Sequence, residues 1–418
     1  MLFLVTAIAA VMLMCGCRTQ LAAGACWLLL VSLHTRNPIV INAGDKYLEL
    51  LAFWGIFLPL GAYWSVDARS EPNARGTRTM SLAALALHVQ VLLVYLSTGL
   101  LKQQIESWQT GDAIRLALSK SYLVSGWGQR LLEYPALIEW LTHVTLYGEI
   151  FGPLALLASR GWLRLLVVAA FMLFHLALAL CFTIGLFPYV CLVALVAFLP
   201  TPLWSKLLRN APDSSMHVER PVSLVWFVTS RAVMSVALLV AIWSNLTSLG
   251  HVRELPEPLL SAARAFRWPQ SWRLFVDLDE VDDGWFVFHA QFADGRSEDL
   301  LTGRSPVSYH QPRLASRTFP NFRWRKLCTN IRLQKFRPVA TYLGEYLLLE
   351  RDRTHRDVHE LVGLQISYVK PRSGGESIAE PGLEVLGVTF EAPLPLEQEV
   401  LYQWRNDALK YRDIFLTE

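Results

Sequence analysis

SLAALALHVQVLLVYLSTGLLK, residues 81–102, contains no Asp, Glu, Arg or Pro, and no Lys before its last position. At 1.5 Å per residue such a run crosses the apolar part of a bilayer as one helix, so the chain reads as a membrane protein. His88, Tyr95 and Lys102 stand seven residues apart in turn. That spacing drifts by only roughly 40° in all around a helix, so the three share a face. Gly99 belongs to the same face, where a missing Cβ admits another backbone or a ligand. A buried amine that has shed its proton is a usable base. A lysine that merely carries its charge to the interface is the alternative reading.

Working outward, eight apolar segments emerge: 2–16, 21–34, 47–66, 81–101, 136–158, 164–185, 187–199 and 222–247. The third, fourth, fifth, sixth and eighth are long enough to span alone. The first two are short and parted only by Cys17-Arg18-Thr19-Gln20. The sixth and seventh flank Gly185 and Pro188, which favours a helical hairpin over one kinked helix. Residues 1–251 hold 16 Lys/Arg and 11 Asp/Glu, whereas residues 252–418 hold 22 and 24. The expected fold is therefore an α-helical polytopic membrane bundle of about eight transmembrane helices over 1–250, followed by a small α+β soluble domain over 251–418. Net charge is small in both parts, which argues against nucleic acid as a partner.

Eight alternating spans sort the loops into two sides. One carries nine basic residues (Arg18, Arg69, Arg75, Arg78, Arg160, Arg164, Lys206, Arg209 and Arg220) in short loops, against six in longer loops on the other. The denser side is expected to be cytoplasmic, which puts Lys102 and the second domain outside. The chain is apolar from Met1 with no basic stretch first, so a cleavable signal peptide is not expected. Five of the six cysteines lie in or beside apolar runs. Cys328 stands alone in the second domain, which excludes a disulfide within it.

Ionisable groups stranded in spans are functional candidates by default. Glu149 and Arg231 lie at similar depth, counted from the cytoplasmic ends of their helices, and are expected to form a structural ion pair. His175 lies deeper still. Glu139, His143 and Tyr147 share one face of the fifth segment, where a carboxylate and an imidazole one turn apart suit a proton relay or an interhelical contact. In the 102–135 loop, Trp108, Gly111 and Trp127 interrupt amphipathic stretches such as Ala113–Leu118. An interfacial helix capping the mouth near Lys102 is expected there.

From about 252 the periodicity changes. Trp272–Asp277, Trp285–Phe292, Ser297–Leu301 and Gly363–Lys370 read as strands, and Val339–Arg351 as a helix. His355 and His359 have a metal-ligand spacing, but Arg353, Arg356, Asp357 and Glu360 around them make a solvated helix face the better reading. No metal is expected. P-loop, glycine-rich dinucleotide, GxSxG and HExxH patterns do not occur.

Three ordered stretches resemble a known family. They are Tyr63-Trp64-Ser65-Val66-Asp67, then Tyr95 to Lys102 leading to Trp108 and Gly111, then Phe174-His175 followed by Ile184-Gly185-Leu186-Phe187-Pro188-Tyr189. Over roughly residues 1–210 the chain resembles the vitamin K-dependent gamma-carboxylases and their broader bacterial relatives, the horizontally transferred transmembrane (HTTM) domain proteins. The resemblance implies a bacterial cell membrane as location and a lyase that acts on a secreted peptide or protein. Reduced vitamin K, or a menaquinol-type quinone, is the implied cofactor. It also implies Lys102 and His175 as catalytic residues, with His88, Tyr95, Gly99 and Trp108 around the quinone. One departure stands out: the carboxylases carry Asn-His before Tyr-Trp-Ser-Val-Asp, and here those positions are Gly61 and Ala62. A non-catalytic membrane factor that binds a lipid or a peptide in export or maturation is the competing expectation.

Overall fold

Where the apolar runs lie between capping residues, helices form and stop at the caps. The computed structural model describes residues 1–70, 81–207, 223–278, 283–355, 361–371 and 396–405. It divides into two compact units, the first being Met1–Arg115, Tyr134–Leu180 and Ile184–Asp279. The second comprises Leu116–Glu133, Cys181–Thr183 and Glu280–Glu418.

In the first unit α1 (Leu2–Cys15) and α2 (Thr19–Arg36) pack as a hairpin. Gly16 closes α1 in the left-handed region (φ 66). The Asp67 carboxylate then caps α2, accepting from Arg18 N (2.9 Å), Thr19 N (2.8 Å) and Thr19 Oγ1 (2.6 Å). A carboxylate at a helix N-terminus answers both the orphan N–H groups and the helix dipole. The Thr19 hydroxyl and the two backbone N–H groups hold this carboxyl below the usual aspartate range.

α3 (Ala43–Gly55) opens on a capping box between Asn42 and Asp45. It ends at Gly55 instead of running to residue 66 as expected, because Pro59 supplies no N–H and the chain turns through 56–65 into α4 (Val66–Ser70). Glu49, on α3, is buried and draws in three basic side chains. It meets His34 Nδ1 at 2.5 Å, Arg267 Nε at 2.9 and 3.0 Å, and Lys46 Nζ at 3.8 Å.

α5 (Leu82–Lys102) starts where the Ser81 hydroxyl accepts from Ala84 N at 3.1 Å. Three short helices follow, α6 (Glu106–Thr110), α7 (Ala113–Ser119) and α8 (Gly126–Leu131). Then come α9 (Pro135–Ala158), α10 (Gly161–Cys181), α11 (Phe187–Leu195), α12 (Thr201–Leu207), α13 (Leu224–Ser248) and α14 (Glu257–Ala265). The chain breaks between α10 and α11 where expected, with Gly185 left-handed (φ 73) and Pro188 in the first turn of α11. By length and composition α5, α9, α10 and α13 are fit to cross a membrane. The other apolar helices are shorter or less apolar, α1, α2 and α3 having 14, 18 and 13 residues. α5 is the central helix: 56% of its apolar window is buried, against 17–28% for the other three.

The segment after α14 packs into this bundle. Arg267 and Phe275 bracket it, both non-glycine residues in the left-handed region (φ 53 and 55) that costs about 1 kcal/mol or more each. Trp272–Asp277 is thus no strand. Trp272 is 1% exposed and belongs to the core formed by Tyr47, Tyr95, Phe171 and Phe187. Its indole N–H donates to Gln270 Oε1 (2.7 Å), and the amides of Gln270 and Gln90 exchange bonds of 2.7 and 3.1 Å.

The second unit holds a four-stranded antiparallel sheet in the order β2-β1-β3-β4. Its strands are β1 (Trp285–Phe292), β2 (Ser297–Asp299), β3 (Leu361–Pro371) and β4 (Leu396–Arg405), with Trp285 opposite Val369 and Ile366 opposite Tyr402. The helices α15 (Phe322–Ile331) and α16 (Val339–His355) belong to this unit, as does α8, and α16 packs on β3 and β4. β4 was not anticipated, since its Glu- and Gln-rich stretch lacks the apolar alternation of β1. His359, and with it the His355/His359 spacing, lies outside the described residues, as do Arg75, Arg78, Arg209 and Arg220.

Candidate functional site

The face shared by His88, Tyr95 and Lys102 serves three separate partners. Lys102 ends α5 and is 2% exposed; its Nζ lies 2.9 and 2.8 Å from Oε1 and Oε2 of Glu149 on α9. The same nitrogen sits 4.2 Å from the centroid of the Trp108 indole. Trp108, on α6, is held by its N–H, which donates to the Phe275 carbonyl at 2.9 Å. A positive group between a carboxylate and an aromatic face is satisfied on both sides.

Gly99 makes this pairing possible. A Cβ at that position would lie 2.9 Å from Ile150 Cγ1 and 3.0 Å from the Glu149 carbonyl carbon and Cβ, so α9 approaches α5 only because residue 99 has none.

The expected Glu149–Arg231 pair is not formed. Arg231 is exposed on α13, its guanidinium 3.8 Å from the Phe227 ring, while Glu149 is taken by Lys102. Depth along two helices says nothing about which of them are neighbours. Moreover, a side chain at a helix C-terminus reaches back along its own helix, which brings Lys102 to the level of Glu149.

One turn below Gly99, Tyr95 Oη and His175 Nε2 share a hydrogen bond of 2.7 Å, both residues at most 3% exposed. Phe171 and Phe187 flank them, with ring centroids 4.5 Å from Tyr95 and 5.9 Å from His175 respectively. His175 Nδ1 and the hydroxyl of Tyr47 in the same core are buried polar atoms with no hydrogen-bond partner among the described residues. Such atoms are uncommon in a folded interior and mark places where a water or a ligand belongs.

His88 is apart from this group. Its Nδ1 is 2.6 Å from the Ala84 carbonyl and its Nε2 3.2 Å from that of Ala197, with the ring against Phe198 at 4.6 Å. Glu139 and His143 crowd Gly111, where a Cβ would be 2.6 Å from Glu139 Cγ and 3.2 Å from His143 Nε2. They form no bond with the Lys102 group. Among the described residues no cluster of three or more His, Cys, Asp or Glu is placed to hold a metal ion.

Sequence reasoning missed Tyr47, Gln90, Gln270 and Trp272. Gln90 carried a signal, being an amide in mid-span that needs a partner in lipid. Tyr47 and Trp272 carried none, as an aromatic residue in an apolar run looks like core.

Gly61 marks a local departure. A Cβ there would collide with Thr19 Oγ1 and sit 3.3 Å from Asp67 Oδ2, so no side chain fits where the carboxylases carry Asn.

No curated protein and no solved structure matches this chain. The family model of the HTTM domain matches residues 1–204. That stretch includes Lys102, Glu149, Tyr95 and His175, and it ends before α13. With four helices fit to cross a membrane, the chain is an integral membrane protein, and its residues 1–204 match the HTTM domain, the family its motifs resemble.

Proposed function

We propose that the protein carries out quinol-dependent, carboxylase-like proton abstraction at the extracytoplasmic side of a bacterial cell membrane, with Lys102 as the base. The observation that carries this reading is the enclosed Lys102–Glu149 pair. With both carboxylate oxygens on one amine, passing a proton from nitrogen to oxygen leaves a neutral amine beside a neutral acid. No net charge moves through the apolar interior, where isolated charge is costly. Glu149 is then the residue that takes up and returns the proton of Lys102.

The residues present fit a reduced quinone. Tyr47 Oη and His175 Nδ1 supply two unpaired polar atoms for its oxygens, between the aromatic side chains of Tyr95, Phe171, Phe187 and Trp272. Gly99, by admitting α9, and Trp108, with its ring 4.2 Å from Nζ, hold Lys102 in place. When bound, reduced vitamin K or a menaquinol-type relative supplies a strong base through its reaction with oxygen. Tyr95 orients His175, and Trp108 shields the amine from water. In this proposal about eight segments traverse the membrane, and residues 251–418 lie outside the cytoplasm, where a secreted peptide is met.

The test is a reaction of purified protein with reduced quinone, bicarbonate and a Glu-rich peptide, read by mass. A gain of one carboxyl group is expected, lost in Lys102→Ala with the fold retained. Product formed by Lys102→Ala ends this reading.

A second reading, a non-catalytic factor that binds a lipid or a peptide during export or maturation, is favoured by the corner at Gly61 and Ala62. At Gly61 the space for the carboxylases' Asn side chain is filled by Thr19 and Asp67, and at Ala62 a methyl group stands in place of their His. Native mass spectrometry of the purified protein separates the two, a retained quinone supporting the first and a retained peptide the second.

A further inference from the structure

At the carboxyl end of α13 two cavities share a wall made by Trp243 and Leu255. The first, of about 250 Å³, is apolar and lies between α13 and α14, lined by Leu239, Trp243, Leu259, Phe266 and Trp268 among others. The second, of about 450 Å³, is more polar than the first and presents Ser244, Thr247, Glu254, Arg264 and Gln270. Val236, Leu239 and Leu259 are 50, 65 and 60% exposed, so the apolar cavity continues the lipid-facing surface of a membrane-crossing helix. α14 is amphipathic, as a helix lying in the interface should be.

From this geometry we infer a binding site for one membrane phospholipid with an ammonium-ended, zwitterionic headgroup, its acyl chain in the α13/α14 groove and its head in the adjoining polar cavity. Two observations decide the chemistry. An apolar slot opening along a transmembrane helix receives a chain from the bilayer. A polar chamber at its end, holding one carboxylate and one guanidinium, matches a head with one cation and one anion. Arg264 meets the phosphate; its bond to Glu257 is long, at 3.6 Å, on a side chain 58% exposed, and yields readily to a better acceptor. Glu254 meets the ammonium. The indole N–H of Trp243 is already bound to the Arg253 carbonyl (2.9 Å), which fixes the shared wall.

Gln270 lines the polar cavity and also bonds Gln90 and the indole of Trp272.

The experiment uses the full chain in nanodiscs containing equal parts ethanolamine, glycerol and choline phospholipids of identical acyl chains, released gently and weighed by native mass spectrometry. One ethanolamine lipid per chain is expected to be retained, in about tenfold preference over the glycerol lipid. Glu254→Gln and Arg264→Gln, both on exposed side chains, should reduce that preference to the bulk ratio without changing the melting temperature. Retained lipid that follows bulk composition in the unaltered protein overturns the inference. Displacement by inorganic phosphate, or a dimer mass in place of a lipid adduct, overturns it equally. None of these outcomes depends on whether Lys102 is a base.

Discussion

Lys102 Nζ and the Glu149 carboxylate are bonded at 2.9 and 2.8 Å, although 47 residues separate them in the chain. Both side chains are buried, at 2 and 8% exposure, so each charge depends on the other. Removing one member of such a pair strands its partner in an apolar surround.

Single substitutions Lys102→Ala and Glu149→Gln are each expected to destabilise the protein by about 3–5 kcal/mol. The double substitution Lys102→Met with Glu149→Leu, which fills the space with apolar atoms, should recover most of that loss. Denaturant unfolding in mild detergent measures all three. Equal losses in the single and double variants would show that the two residues are not energetically coupled.

Gly99 sets the distance between α5 and α9. Gly99→Val is expected to force the helices apart and to open Lys102 to water. An amine-reactive reagent should leave Lys102 unlabelled in the parent protein and label it in the variant, as read by peptide mass. Unchanged protection of Lys102 would mean that α9 can shift without releasing the pair.

Trp272 reaches the bundle core from beyond the last membrane helix. Trp272→Ala is expected to cost about 3–5 kcal/mol, because nothing nearby can collapse into so large a gap. Gln90→Leu should produce a smaller loss, of about 1–3 kcal/mol, by leaving the buried Gln270 Nε2 without its acceptor. The order of the two melting temperatures is the readout.

His289 in β1 is 7% exposed and its Nδ1 is 2.8 Å from the Tyr309 hydroxyl. Burial lowers its pKa, with a weaker opposing bond to Gln291. Above roughly pH 6.5 the imidazole is neutral in both the folded and unfolded chain, and stability there is independent of it. As pH falls through that value the unfolded chain takes up the proton first, so the stability of the sheet unit declines until the lowered folded value is reached. Hydrogen exchange of β1 amides between pH 7.5 and 5.5 should show this decline, and His289→Gln should flatten it.

The legible parts of this protein share one property: they are local. The membrane-crossing runs, the α10/α11 break at Gly185 and Pro188, and strands β1 and β3 follow from hydropathy, period and turn residues within a short window. Gly99 as a point of close approach was also legible, since a glycine on a polar helix face has few other uses. Trp272–Asp277 misled because alternation indicates an apolar face and not what covers it. Here the face is covered by helices, so the stretch is no strand.

Sequence alone determined that this is a helical membrane protein with a charge-rich second part, and that Lys102, Tyr95 and Gly99 share a helix face. Only the tertiary structure decided that Glu149 answers Lys102 and that Arg231 does not. It alone joined Tyr95 to His175 and placed Tyr47 and Trp272 beside them. The reason is physical. Hydropathy and helical period act along the chain, whereas a buried charge or hydroxyl is satisfied across helices. Which helices touch is settled by packing at a residue such as Gly99, where the absence of one carbon admits a neighbour.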